Sequence, residues 1–293
     1  MLSLEDAPSV IDNQTSIAFH EAGDGLPVVL VHGGVSDLRT WGAQFEPLAE
    51  HYRTIVYSRR YHCPNSPISS DTPDPIQTHV DDLAELIETL GASPAHVVGH
   101  SWGGLIALLL ALQRPQILRS LVLIEPPVVS MHVTVPPTIG QMTRLLIRSP
   151  KLAIAIAKLG GGALMPAEKA FRKGDDKSAV EYFGRGVLGK HRFASLSAER
   201  YEQVWDNRGP ERALALYAGF PDLRTADFSQ ISIPVLLITG SESPSIFLLL
   251  IDELSQRLPN ARRQVILGAS HIVHEDAPQA LNDAVLSFLE DVG

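Results

Sequence analysis

Disulfides, a basic surface and long apolar runs are all missing from this 293-residue chain. Cys63 is the only cysteine, so no bridge can form within the chain, and a disulfide-stapled scaffold is excluded. Acidic residues outnumber basic ones, 33 to 24, and the formal net charge of −9 argues against a nucleic-acid partner. No apolar run reaches the ~18 residues that a membrane-spanning helix needs. The opening Met1-Leu2-Ser3-Leu4-Glu5-Asp6 has no basic stretch ahead of an apolar one. No secretory signal is therefore expected, and a cytoplasmic location is the default. Asn13-Gln14-Thr15 matches a glycosylation acceptor, which is incidental without such a signal. Repeats and low-complexity tracts are absent too. What remains is ordinary for a globular protein: 45% hydrophobic and 19% charged residues, at a length that suits one large α/β domain or a domain with an insertion.

Short β-rich runs alternate with helical patterns from Ile17 to Glu125. Val28–Val31 leads into His32-Gly33-Gly34, Thr54–Tyr57 into Ser58-Arg59-Arg60, and Leu121–Ile124 into Glu125-Pro126-Pro127. Between them, Asp37–His51 and Thr78–Leu90 read as amphipathic helices, the second ending at Gly91. Continuous apolar strands separated by helices indicate a parallel sheet covered on both faces. The alternation resumes with a strand at Pro234–Gly240, a helix at Ile246–Leu258, a strand at Arg263–Gly268 and a helix at Ala280–Val292.

Between these stretches, from Pro126 to about Asp227, the β signal disappears. Gln141–Leu159, Ala167–Val187 and Ala198–Ala218 have helical periodicity, with Gly160-Gly161-Gly162 and Gly209-Pro210 as expected breaks. This segment carries a net +5 against −14 for the rest of the chain, a contrast read as a solvated helix surface. It also holds Met131, Met142 and Met165, every methionine but the first. Methionine adapts to irregular apolar space, so these three and Trp205 are candidate pocket residues.

Residues 99–104 read Gly99-His100-Ser101-Trp102-Gly103-Gly104. The pattern Gly-x-Ser-x-Gly lies between the β-like run Ala95–Val98 and the apolar helix Leu105–Leu112, which Pro115 closes. A serine on that sharp turn sits on strained backbone, and the glycines let strand and helix approach closely. Serine is a weak nucleophile unless a base takes its proton and a third group orients that base. His271, in Gly268-Ala269-Ser270-His271 after the last strand, is the candidate base. His274, its nearest rival, falls at the start of the last helix, where a surface or structural role is expected. His32 and His100 flank motif glycines and are expected to hold loop geometry.

In their order and spacing, His32-Gly33-Gly34, Gly99–Gly104, Leu236–Gly240 and Gly268–His271 resemble the α/β-hydrolase fold, from about Ile17 to the end of the chain. The resemblance implies a mostly parallel, eight-stranded-type sheet with helices on both faces and a helical lid inserted between the sixth and seventh strands. Residues 1–125 and 228–293 would form the core domain, and 126–227 the lid. It also implies an oxyanion hole made by the backbone N–H groups of Gly34 and Trp102. Most members carry the acid three residues after the glycine that here is Gly240. That position is Ser243 in this chain, with Glu242 one residue early. Haloalkane dehalogenases and some lactone hydrolases instead place it at the end of the sixth strand, here Glu125. A buried carboxylate there needs a charge partner, which the His271 imidazolium would supply. Glu125 is the first candidate for the acid and Glu242 the alternative.

On this resemblance the expected activity is that of a serine hydrolase cleaving a small, largely apolar ester or lactone through an acyl-enzyme on Ser101. Carbon–carbon bond hydrolysis and cofactor-free haloperoxidase or perhydrolase chemistry remain open on the same residues. A small-molecule receptor with slow or no turnover is the alternative of another class. Dehalogenase and epoxide-hydrolase chemistry is disfavoured, because such relatives carry aspartate where Ser101 stands. No cofactor and no metal are expected, a small-molecule substrate is the expected partner, and nothing in the sequence speaks to an oligomeric state.

Overall fold

The computed structural model describes every residue except 1, 3, 5, 6, 13, 14, 70 and 71. The Asn13-Gln14 part of the glycosylation pattern, and four of the first six residues, lie outside the described residues. In chain order, β1 (Ser9–Asp12), β2 (Thr15–Ala22), β3 (Pro27–Val31), α1 (Gly42–Ala49), β4 (Arg53–Tyr57) and α2 (Ile76–Thr89) lead to β5 (Ala95–His100). Then come α3 (Trp102–Gln113) and β6 (Leu118–Ile124). The eight strands form one sheet ordered β1-β2-β4-β3-β5-β6-β7-β8, where β7 is Val235–Gly240 and β8 is Ala261–Ile266. β1 and β2 pair antiparallel at one edge, and all pairs from β4 to β8 are parallel. The expected α/β architecture is what the chain adopts.

The core follows from the strand sequences. Val28–Val31, all six residues of β5 and all six of β7 are buried, as strands covered on both faces must be. α3 is apolar on every side because it is buried nearly throughout, from Trp102 to Ala111. It packs with α2 on one face of the sheet, joined there by α11 (Ser245–Ser255). On the other face Leu38, Trp41 and Leu48 meet Leu281, Val285, Phe288 and Leu289 of α13 (Pro278–Val292), which follows α12 (Val273–Asp276). The exposed edge strand β8 carries Arg262 and Arg263, paired with Asp291 and Asp252, charges that discourage pairing with another edge.

Between β6 and β7 the described residues contain no strand. They form α4 (Ile139–Arg148), α5 (Pro150–Leu159), α6 (Met165–Arg172), α7 (Asp176–Leu188), α8 (Lys190–Ala194), α9 (Ala198–Asp206) and α10 (Arg208–Ala213). Three expectations need correction here. The stretches read as single helices are divided, at Ser149-Pro150 and at Gly174, whose φ of +73° ends α6. Conversely, Gly160-Gly161-Gly162 does not break the chain but belongs to a π-helical turn, Gly160–Leu164, that joins α5 to α6. Packing overrides propensity there. Ala163 is buried against Gly186 of α7, where a Cβ would lie 2.1 Å from that of Ala163. Finally, the break expected at Gly209-Pro210 falls at Asn207. Pro210 sits in the first turn of α10, where its missing N–H costs nothing.

Candidate active site

Four non-glycine residues have positive φ among the described residues: Val35, Tyr61, Ser101 and Glu125. Each follows the carboxyl end of a parallel strand, so the backbone strain gathers on one rim of the sheet. Ser101, at φ 49° and ψ −118°, is the turn between β5 and α3. Only glycine fits beside it. A Cβ on Gly99 would stand 2.6 Å from the Gly103 carbonyl oxygen, and one on Gly103 would stand 2.2 Å from that of Val31.

His271, 3% exposed, reaches over from the loop after β8. Its Nε2 lies 3.1 Å from Ser101 Oγ and its Nδ1 lies 2.6 Å from Glu125 Oε2. An ionised carboxylate only accepts hydrogen bonds, so Nδ1 carries the proton and Nε2 is free to accept the serine hydroxyl. The imidazole is clamped on its other sides. Phe247 stacks on it with ring centroids 3.9 Å apart and 17° between planes, and His100 Nε2 donates to the His271 carbonyl at 2.9 Å. Burial holds His100 well below the usual histidine range, so it donates as a neutral ring.

Glu125 is fully buried at the end of β6. Its N–H donates to the Ile238 carbonyl and its Oε1 accepts the Gly240 N–H at 2.8 Å, tying the acid to β7 on both sides. Glu242 is exposed, and its backbone N–H is engaged by the Ala269 carbonyl. The structure thus brings Ser101, His271 and Glu125 together and leaves Glu242 outside.

The two candidate oxyanion donors lie on either side of Ser101. Trp102 N–H is the first of α3, among the four that an α-helix leaves without an intrahelical acceptor. Gly34 follows β3, and the position of a Cβ on its neighbour Gly33 is 3.2 Å from Ser101 Cβ. The Gly33 carbonyl accepts from Arg59 Nη2 and from His32 Nδ1, both at 2.9 Å. Carbonyl and N–H of one trans peptide point opposite ways, so these two bonds turn the Gly34 N–H away from Arg59. His32 therefore holds the loop as expected, with Nε2 accepting the Arg59 N–H at 2.9 Å. Asp37, also fully buried, ties the same loop to α9 by accepting from Gln203 Nε2 and Asn207 Nδ2.

A cavity of about 40 Å³ opens on Ser101 and His271, walled by Val180, Phe183, Val187 and Leu188 of α7 with Phe193 and Val204. None of Met131, Met142, Met165 and Trp205 lines it, which corrects the sequence expectation. Met131 is 4% exposed in the main core and Met142 packs on that core. Met165 is 65% exposed, and Trp205 stacks under the Arg208 guanidinium 4.3 Å away. The branched and aromatic residues of α7 do the lining instead. His274 is 1% exposed, with Nε2 2.8 Å from Thr40 Oγ1, so its place is structural and not on the surface.

Sequence reading missed a second group of residues, Arg59, His62, Asp74 and Glu211, buried beside Gly34 in the loop after β3. The one available signal was a pair of arginines directly after a buried strand, where a charge has to find partners. Among the described residues no cluster of histidine, cysteine and carboxylate side chains could hold a metal ion, and no helix is long and apolar enough to cross a membrane.

Ser101, His271 and Glu125, in hydrogen-bonded series on the carboxyl rim of a parallel sheet, have a layout that hydrolytic enzymes use. Residues 27–278 match the family model described as the alpha/beta hydrolase fold, and the chain belongs to that family. It is a hydrolase. Among similar proteins is an (E)-2-((N-methylformamido)methylene)succinate hydrolase from Acinetobacter baylyi, 23% identical over 286 residues that cover 96% of each chain. A thermophilic esterase from Thermogutta terrifontis, solved with malate bound, superposes with a TM-score of 0.75 at 22% identity, covering 98% of this chain and 99% of that one. The enol-lactonase from Burkholderia xenovorans gives 0.73 at 20% identity, covering 97% and 100%.

Proposed function

We propose that the chain is a serine hydrolase that cleaves a small ester or lactone through an acyl-enzyme. The observation that carries this reading is the unbroken hydrogen-bonded series from Ser101 through His271 to Glu125. Ser101 Oγ attacks the substrate carbonyl carbon while His271 Nε2 takes its proton. Glu125 offsets the imidazolium charge that results, and its grip on Gly240 keeps the carboxylate in line with Nδ1. The oxygen of the tetrahedral intermediate faces the N–H groups of Gly34 and Trp102, each of which contributes ~3 kcal/mol in comparable sites. Collapse breaks the bond to the leaving alkoxide, which receives the proton from His271. Water then attacks the acyl carbon with His271 again as base, and the acid leaves Ser101 free.

Residues 126–227 act as a lid in this scheme. A cavity of about 40 Å³ takes only a small apolar limb, and its walls come from α7, α8 and α9, so movement of these helices sets the chain length admitted. The relatives named above are, by name, an esterase, a lactonase and a hydrolase of a substituted succinate, all compatible with a small oxygenated substrate.

Assay of p-nitrophenyl esters of increasing acyl length, beside a lactone and a diketone, tests this. Short esters should give a burst of one p-nitrophenol per chain followed by turnover. Cleavage of the diketone with no ester or lactone turnover would replace the reading with carbon–carbon bond hydrolysis. Tight binding without turnover of any of them would replace it with a receptor.

A further inference from the structure

We propose that the outward side of α4 and α5 docks the chain reversibly on an anionic lipid surface. This face lies outside the active site and does not depend on the hydrolase reading.

Nine large hydrophobic side chains are exposed among the described residues, and five of them fall between positions 139 and 165. Ile139, Leu146 and Ile147 stand on α4, Ile154 on α5, and Met165 opens α6, each between 51% and 88% exposed. Spacings of four, seven and eight residues put Ile139, Thr143, Leu146 and Ile147 on one side of α4, away from the buried Leu145. A surface helix ordinarily turns polar residues to water, whereas α4 turns apolar ones both inward and outward. α5 buries Leu152, Ala153, Ala155 and Ile156 and presents Lys151, Ile154 and Lys158 outward. The two helices pack on each other, and α5 rests on α11, so the fold holds them without using the outward side chains. Clustered apolar exposure of this kind marks an interaction surface.

Charge selects the occupant. No acidic residue occurs between Glu125 and Glu168, whereas Arg144, Arg148, Lys151 and Lys158 all fall there. All four are exposed, and none pairs with a carboxylate among the described residues. The chain as a whole is at −9, but charges more than about 8 Å away are largely screened at physiological salt, so the local cations decide. Basic and aliphatic side chains side by side suit a helix lying in a lipid interface. The long cations reach anionic headgroups there while their neighbours enter the acyl boundary. A second copy of the chain fits poorly, because a two-fold contact on this face would set four cations against four. Protein-type anchors are missing as well, since no Trp, Tyr or Phe occurs between Glu125 and Phe171. Ala163, in the turn after α5, packs on Gly186 of α7, and the next residue, Val187, walls the cavity at Ser101. The face assigned to lipid thus belongs to the helical layer that walls this cavity.

Co-sedimentation with vesicles tests the proposal, using phosphatidylcholine alone and phosphatidylcholine mixed with phosphatidylglycerol. The protein should bind the mixed vesicles at low salt, lose at least about tenfold in affinity in ~0.5 M salt, and bind phosphatidylcholine alone weakly. Lys151→Gln with Lys158→Gln should weaken binding about fivefold per cation, and Ile147→Ser with Ile154→Ser about tenfold or more. Both double variants should melt like the wild type, because the four side chains are exposed. Arg262→Gln, whose partner Asp291 lies on α13 at the other face of the sheet, should bind like the wild type. Failure to bind the mixed vesicles, equal binding to both kinds, or binding that survives both double substitutions would overturn the proposal. So would a dimer that Ile147→Ser with Ile154→Ser dissociates, without vesicle binding, which would give the face to a second copy. Ester turnover does not enter the readout, so failure of the hydrolase reading leaves this test intact.

Discussion

Glu125 Oε1 accepts the backbone N–H of Gly240 at 2.8 Å, so the acid at the end of β6 is fastened to the end of β7. Its other oxygen meets His271 Nδ1 at 2.6 Å. Where the resemblance places the commonest acid, three residues after that glycine, this chain has Ser243, and the carboxylate that meets His271 comes from the neighbouring strand. The positive φ of Glu125, 48°, is the backbone cost of turning the side chain back over the sheet.

Glu125→Gln should therefore lower kcat by ~10³–10⁴, because a glutamine N–H facing Nδ1 forces the wrong histidine tautomer. Glu242→Gln should change kcat less than twofold, since that side chain is exposed and the two ring nitrogens of His271 meet Glu125 and Ser101. Steady-state kinetics of both variants on one ester decides between the two acids.

Burial raises the Glu211 carboxyl from 4.5 to about 7, and this has a consequence for folding. Between those values the native state holds a proton that the unfolded chain has lost, so stability falls as pH rises through the window. At about 1.4 kcal/mol per unit the loss is on the order of 3 kcal/mol. Glu211→Gln removes the titrating group and should flatten the dependence of urea midpoint on pH from 5 to 8. A midpoint in the variant that still falls as steeply as in the wild type would contradict the assignment.

Two glycines offer a contrast in packing. Gly103→Ala places a methyl 2.2 Å from the Val31 carbonyl oxygen, where the strand cannot yield, and should cost more than ~3 kcal/mol or prevent folding. Gly140→Ala, in the first turn of α4 with open space around it, should stabilise by about 0.5–1 kcal/mol. Thermal denaturation of the two variants checks both signs.

The sheet and the places of Ser101 and His271 were legible in the sequence because short-range rules govern them, whereas Glu125 was set ahead of Glu242 only through the family resemblance. Apolar strands, a glycine-bracketed serine and a histidine after the last strand each announce themselves within a few residues. The helical segment was not legible in the same way. The turn Gly160–Leu164 goes with the packing of Ala163 on Gly186, and which residues wall the cavity depends on how α7 to α9 lie over Ser101. Methionine content pointed elsewhere, because Met131 and Met142 are spent on the main core. Arg59 and Glu211 lie 152 positions apart and meet only through the fold, so no local pattern could have paired them.

The most direct measurement of the central claim is the intact mass of the protein after exposure to a fluorophosphonate, followed by peptide mapping. One adduct per chain on Ser101 is expected in the wild type, with none in Ser101→Ala and much slower formation in His271→Ala. A wild-type mass that does not change, or an adduct on another residue, would contradict the assignment of Ser101 as the nucleophile.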